Sequence, residues 1–176
     1  MTLVVPQRQR KGDWALAPAM ARPSRNAASE GILGSERIFF TTTKTCMAKS
    51  LLQSERNALL FIDVLRSYIA AGKFKLHDFV VMPNHVHLLI EVNNTMTIER
   101  AMQLIKGGFS YRLKKECGYG GEVWQPGFSD VRIKDEQSFL QHREYIAQNP
   151  VKAGLVDSAE KYPYCYTYLA KKKLRG

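Results

Sequence analysis

The spacing of apolar and polar positions changes character along the chain. Residues 1–35, including "PQRQRKGDWALAPAMARPSRNAASEGILGS", keep no period and are rich in Ala, Pro, Arg, Ser and Gly. A stretch with no apolar face to bury is expected to be a basic, flexible N-terminal extension, with Trp14 as a side chain able to dock. Patterned sequence begins at "RIFFTTTK", residues 37–44, whose aromatic and β-branched content predicts a strand. "SERNALLFIDVLRSYIAAG" then spaces Leu59, Ile62, Leu65 and Ile69 three to four apart, with Ser54 to cap a helix and Gly72 to stop it.

Further along, "KLHDFVVMPNHVHLLIEVN" predicts one or two strands, with Pro83-Asn84 at a bend or at the start of the second. "TMTIERAMQLIKGGFSYRLKKEC" predicts a second helix interrupted at Gly107-Gly108. "GEVWQPGFSDVRIKD" predicts a short strand pair, and "SFLQHREYIAQN" a third helix ended by Pro150. The order βαββαβ(β)α implies an α+β fold, a ferredoxin-like or RRM-like antiparallel sheet with helices packed on one face. The expected organisation is an extension over 1–35, one domain over 36–160 and a basic aromatic C-terminal tail over 161–176.

Composition narrows the partners. The chain has 26 Lys and Arg against 16 Asp and Glu, a formal charge of +10. That excess favours a polyanion, nucleic acid before an anionic membrane. Hydrophobic content of 45% is that of a globular protein, so disorder over the whole chain is excluded. Cys46, Cys117 and Cys165 are odd in number, far apart and outside any CxxC pair, which fits reduced thiols. With no apolar run near the ~20 residues that span a bilayer, and only a short one before Pro6, a cytoplasmic location is expected.

The chemistry centres on "VVMPNHVHLLIEV". Alternation in a strand sends His85, His87, Leu89 and Glu91 to one face, and Val86, Leu88, Ile90 and Val92 to the other. The aliphatic face must pack on helices, leaving the histidine face as a working surface. Roughly 6.6 Å separates His85 from His87 along the strand, so both imidazoles can converge on one divalent ion. The competing reading is two histidines satisfied by hydrogen bonds on a sheet surface. A histidine-triad hydrolase is excluded, because position 89 is Leu89. On the third helix Phe139, Leu140, Ile146 and Ala147 form an apolar stripe, with Tyr145 and Asn149 on a face roughly opposite. Arg143 falls within the stripe and fits it poorly, which leaves it to reach a phosphate.

"VVMPNHVHLLIEV", "EVWQPGFSDVRIKDEQSF" and "REYIAQNPVKAGLV" closely resemble, in that order, the three signature stretches of single-tyrosine HUH transposases, above all the REP-associated tyrosine transposases. The resemblance runs from about Arg37 to about Tyr166. It implies that His85 and His87 are metal ligands, Tyr145 the nucleophile, and Asn149 the third ligand, with Gln148 as runner-up. It further implies a nuclease and strand transferase using Mg2+ or Mn2+ on single-stranded DNA near REP-type hairpins, through a 5′-phosphotyrosine. The chain departs from the family at "YPYCYT", residues 162–167, where relatives often carry Trp-Pro-Trp-Ser-Ser, and at Ser129 and Val131, where histidine is common. These departures bear on DNA recognition.

For DNA contact, "KGGFSYRLKK" mixes Lys106, Arg112, Lys114 and Lys115 with Phe109 and Tyr111, a combination suited to phosphates and stacked bases. A solvated helix face with core aromatics is the alternative. Lys171, Lys172 and Lys173 in the tail are further expected contacts, and Tyr166 or Tyr168 are rival nucleophiles. A monomer is favoured over a homodimer. The rival function is a nucleic-acid-binding protein on the same fold without catalysis.

Overall fold

Aliphatic and β-branched runs build the centre of the molecule. The computed structural model describes residues 36–174. Strands β1 (Arg37–Lys44), β2 (Lys75–Met82), β3 (His85–Val92) and β4 (Ser129–Ile133) form one sheet in the order β2-β3-β1-β4, with every pairing antiparallel. Helices α1 (Glu55–Ala70), α2 (Ile98–Cys117), α3 (Glu136–Lys152) and α4 (Tyr166–Leu174) are threaded between and after them. This is the expected α+β, ferredoxin-like arrangement. The extension over 1–35, Trp14 included, lies outside the described residues.

One sheet face carries Phe39, Phe79, Val81, Val86, Leu88, Ile90 and Val92 against α1 and α2. Ser54 caps α1 by accepting from the Asn57 amide, as its sequence predicts, and Gly72 follows the helix at φ +65°. The buried stripe of α1 is Ala58, Phe61, Ile62 and Leu65, rotated from the expected one. Leu59 and Ile69 stay 46% and 38% exposed. Both sets satisfy helical spacing, and the set containing Phe61 removes more apolar area from water. Phe61, Phe109 and Trp124 meet edge-on or tilted, with centroids 5.3 to 5.8 Å apart.

Helix α2 passes through Gly107-Gly108 without a break, contrary to expectation. A Cβ at Gly108 would stand 2.7 Å from the Tyr68 hydroxyl, so the missing side chain is what lets α1 lie this close. The expected strand pair over 121–135 is one strand, β4, which pairs with β1. Residues 125–128 form a loop, and Trp124 makes only an isolated bridge to Thr45.

The second face of the sheet is not open, as the sequence led us to expect. Val80, Met82 and Leu89 pack there against Ile146 of α3, with Tyr162 and Cys165 beside them. His142, Ile146 and Pro150 are the buried positions of α3, whereas Leu140 is 54% exposed. Pro150 does not end α3. It lies in the last turn, where its ring forfeits one bond to Ile146 O with only two helical residues after it, and the helix stops at Gly154, φ +69°. Of the stretch expected as a tail, residues 162–165 are laid along the free edge of β2, and α4 follows them. Val81 N donates to Tyr164 O, and the Tyr162 hydroxyl to Val81 O. The paired edge blunts the exposed hydrogen-bonding row that edge strands otherwise present.

Candidate active site

Antiparallel pairing of β1 with β3 sets Thr42 opposite His87 and Lys44 opposite His85. Helix α3 crosses this face, so Tyr145 and Asn149, one turn apart, come down beside the two histidines. They lie next to the buried stripe of α3 rather than opposite it, half-buried and turned to the sheet. Ring centroids of His85 and His87 are 4.8 Å apart, and those of His87 and Tyr145 are 5.2 Å apart. Asn149 Oδ1 is 3.4 Å from His85 Nε2. Phe40 lies under the group, stacked on His87 at 5.3 Å and edge-on to Tyr145 at 5.7 Å.

Hydrogen bonds orient both rings. His87 is 3% exposed, and its Nδ1 is 2.8 Å from Thr42 Oγ1. His85 Nδ1 is 2.7 Å from Asn84 Oδ1. Burial pushes the pKa of His85 below its ordinary value. Burial pushes His87 further down, with smaller like-charge contributions from His85 and Lys44. Both imidazoles are therefore neutral at pH 7, the form that ligates metals. A neutral ring has one N–H, yet His85 faces two amide oxygens. In the tautomer that donates Nδ1–H to the nearer oxygen, Asn84 Oδ1, the bare Nε2 faces Asn149 Oδ1. Two acceptors converging with no proton between them fit a cation. Thr42 can accept from Nδ1–H of His87 in the same way, leaving its Nε2 bare as well. Among the described residues no three His, Cys, Asp or Glu side chains cluster as metal ligands. An ion here would take two imidazoles and an amide oxygen.

The basic residues picked out in the sequence are placed elsewhere. Nε of Arg143 donates to Asp78 at 3.1 Å, beneath α3; burial raises the Asp78 pKa and Arg143 opposes that rise. Lys106 donates to Gln125 O and Gly127 O at 2.9 and 2.6 Å, holding the 125–128 loop, and burial lowers its pKa. Arg112 pairs with Asp63 and Glu116. Tyr111 is exposed with Lys115 over its ring at 5.7 Å, and Lys114 is exposed nearby. These α2 residues lie across the sheet from the histidines. Lys171 pairs with Glu160, Lys172 is exposed, and the Lys173 side chain lies outside the described residues. Tyr166 packs edge-on to Phe79, on the α1 side of the sheet. Gln148 is half-buried beside Asn149 but makes none of the contacts Asn149 makes.

Thr42, Asn84 and Phe40 were missed by sequence reasoning. Asn84 adjoins His85 and could have been suspected as its orienting partner. Thr42 and Phe40 depend on the β1–β3 register, which no local signal reveals. A roomier apolar cavity of about 630 Å³ lies between α1, β2 and α4, on the other side of the sheet, and Arg66 is its only charged lining residue. Among the described residues no helix is long and apolar enough to cross a membrane.

Comparison with known proteins supplies the family. A family model described as IS200-like transposase matches residues 42–149. A protein of Haemophilus influenzae, named as a candidate REP-associated tyrosine transposase, is 27% identical over 72% of this chain and 76% of its own length. The REP-associated tyrosine transposase of Escherichia coli K12 is 28% identical over 64% of this chain and 70% of its own. A solved REP-associated tyrosine transposase bound to a REP hairpin superposes with a TM-score of 0.60 at 25% identity, over 75% of this chain and 77% of that one.

Proposed function

This chain belongs to the family of IS200-like transposases, and from that premise we propose that it nicks and rejoins single-stranded DNA beside REP-type hairpins, as a metal-dependent endonuclease and strand transferase. The observation that carries the reading is convergence. His85 and His87 of β3 meet Tyr145 and Asn149 of α3 although some sixty residues of sequence separate them. The hairpin as partner is supported by the relative solved with one.

In this reading His85, His87 and Asn149 hold the ion, and imidazole ligands favour Mn2+ over Mg2+. A divalent ion bound there would polarise the scissile phosphate and offset its negative charge. Tyr145 supplies the nucleophile. Its phenolic oxygen bonds to phosphorus, the bond from phosphorus to the 3′ oxygen breaks, and that oxygen leaves as a 3′-hydroxyl, taking up one proton for the one the phenol gives off. The product is a 5′-phosphotyrosine. Its ester keeps the free energy of the cleaved bond, so a 3′-hydroxyl can attack it and rejoin DNA without ATP. Phe40 and the α3 backbone hold the phenol in fixed placement, which shortens the search for an in-line approach.

A single-stranded oligonucleotide carrying a REP-type hairpin tests the reading. With Mn2+ or Mg2+ a denaturant-resistant protein–DNA adduct should form, mapping to the peptide containing "EYIAQNPVK". Cutting with no adduct, persisting in Tyr145→Phe, would mean hydrolysis by water. Hairpin binding with no cutting under any metal would leave a binding protein without catalysis.

A further inference from the structure

Lys44 ends β1 directly opposite His85, on the face that carries Thr42 and the histidines. Its side chain is exposed, and among the described residues it pairs with no carboxylate. Lys75, Arg112, Arg143, Lys161 and Lys171 all do. Its charge is close enough to weigh on both imidazoles, helping to depress their pKa values. Beside it opens a cleft of about 270 Å³ lined by Thr42, Lys44, Gln125, Gly127, Phe128 and Ser129.

The cleft is built in advance. Gln125 N donates to Lys44 O at 2.9 Å, Lys106 holds the carbonyls of Gln125 and Gly127, and Trp124 Nε1 donates to Lys106 O at 3.1 Å. Gly127 turns at φ +72°, a conformation other residues rarely adopt. Thr42 both lines the cleft and bonds His87. Whatever enters therefore lies against Thr42, the partner of His87, with Lys44 and Phe128 among the lining residues.

We propose that this cleft is a nucleotide subsite: the nucleotide adjoining the cleaved linkage occupies it, its base against Phe128 and its phosphate on Lys44. The inference rests on the strand-cleavage reading for its substrate class. Stacking on one ring and a single phosphate contact suit a single-stranded segment, since a base inside a duplex has both faces covered by its stacked neighbours.

The test uses the full chain carrying Tyr145→Phe, so that affinity is read without cleavage. Each linkage near the break in the hairpin substrate is replaced in turn by an uncharged methylphosphonate. One linkage adjoining the break should weaken binding roughly tenfold, the scale of one charge-assisted contact. That loss should vanish when Lys44→Ala is added, survive with Lys44→Arg, and be unaffected by Lys73→Ala, a control far from the cleft. Losses that stay additive with Lys44→Ala at every linkage would overturn the subsite. Separately, an unmutated chain that never cuts overturns the cleavage reading, while the binding cycle still decides whether Lys44 holds a phosphate.

Discussion

Nε2 of His85 and Oδ1 of Asn149 face each other across 3.4 Å, while Nδ1 of the same ring is 2.7 Å from Asn84 Oδ1. With the ring's one proton on Nδ1, the pair is an acceptor facing an acceptor. Replacing both His85 and His87 by Ala should remove Mn2+ binding and cleavage, because no nitrogen ligand is left. Asn149→Ala should weaken Mn2+ binding less, since water can take the place of one ligand oxygen. Calorimetric titration with Mn2+ measures both. Hairpin affinity should survive in all of these variants, because phosphate contacts supply most of it. An Asn149→Ala protein with unchanged Mn2+ affinity would exclude the amide oxygen as a ligand.

Tyr145→Phe deletes one oxygen and keeps the ring against Phe40 and His87. Cleavage, joining and the covalent adduct should all disappear. Hairpin affinity should fall by no more than a modest hydrogen bond, about 0.5–1.5 kcal/mol. An adduct that persists and maps to Tyr166 or Tyr168 would reassign the nucleophile, although Tyr166 packs on the far side of the sheet.

Thr42 acts through His87. Thr42→Val keeps the shape, removes the partner of a buried Nδ1, and should cost about 1–3 kcal/mol of stability. Metal affinity should fall roughly 10- to 100-fold, as for other residues that orient a ligand ring. Thr42→Ser should restore most of both. Equal damage from Val and Ser would show that the hydroxyl is not what matters.

Stability should depend on pH through the same two rings. Their folded pKa values lie below the ordinary 6.5, held down first by burial. As pH drops through 6.5 the unfolded chain takes up protons that the folded protein refuses, so stability falls with falling pH. Above 6.5 the rings are neutral in both states and contribute nothing to the slope. Thermal melts from pH 8 to 5.5 should show Tm decreasing below about 6.5, and less steeply in His87→Leu. Identical slopes in the two proteins would count against the assignment to His87.

Much of this was legible in the order of residues. Ser54, Gly72, Pro83-Asn84 and the bounds of β1 are local signals, and local physics sets them. Two histidines on one strand face, and Tyr145 and Asn149 one turn apart on one helix, are visible in the sequence, and the roles proposed for them come from the family resemblance. What eluded the sequence depends on distant partners. Gly107-Gly108 looks like an interruption until Tyr68 is seen to need the space. Lys106 and Arg143 look like free cations until Gln125, Gly127 and Asp78 are found beneath them. Leu59 looks buried until Phe61 turns α1 the other way. The histidine face looks open because the same pattern of apolar residues on α3 is compatible with several docking directions.

The bulge in β2 has a consequence for how the chain tolerates length changes. Leu76 pairs with Ile90 and Asp78 with Leu89, so His77 has no place of its own in the ladder. Lys75, Leu76 and Asp78 would alternate correctly if they were consecutive. His77 is therefore a supernumerary residue. Removing it should forfeit its 2.7 Å contact with Glu91 and its packing on Phe139, while every other side chain of β2 keeps its face. Deleting Val80 instead would throw the strand out of frame, turning Phe79 or Val81 toward the histidines and a neighbour toward α1. Solubility and melting of the two single-residue deletions should part widely, with the His77 deletion folded and the Val80 deletion not.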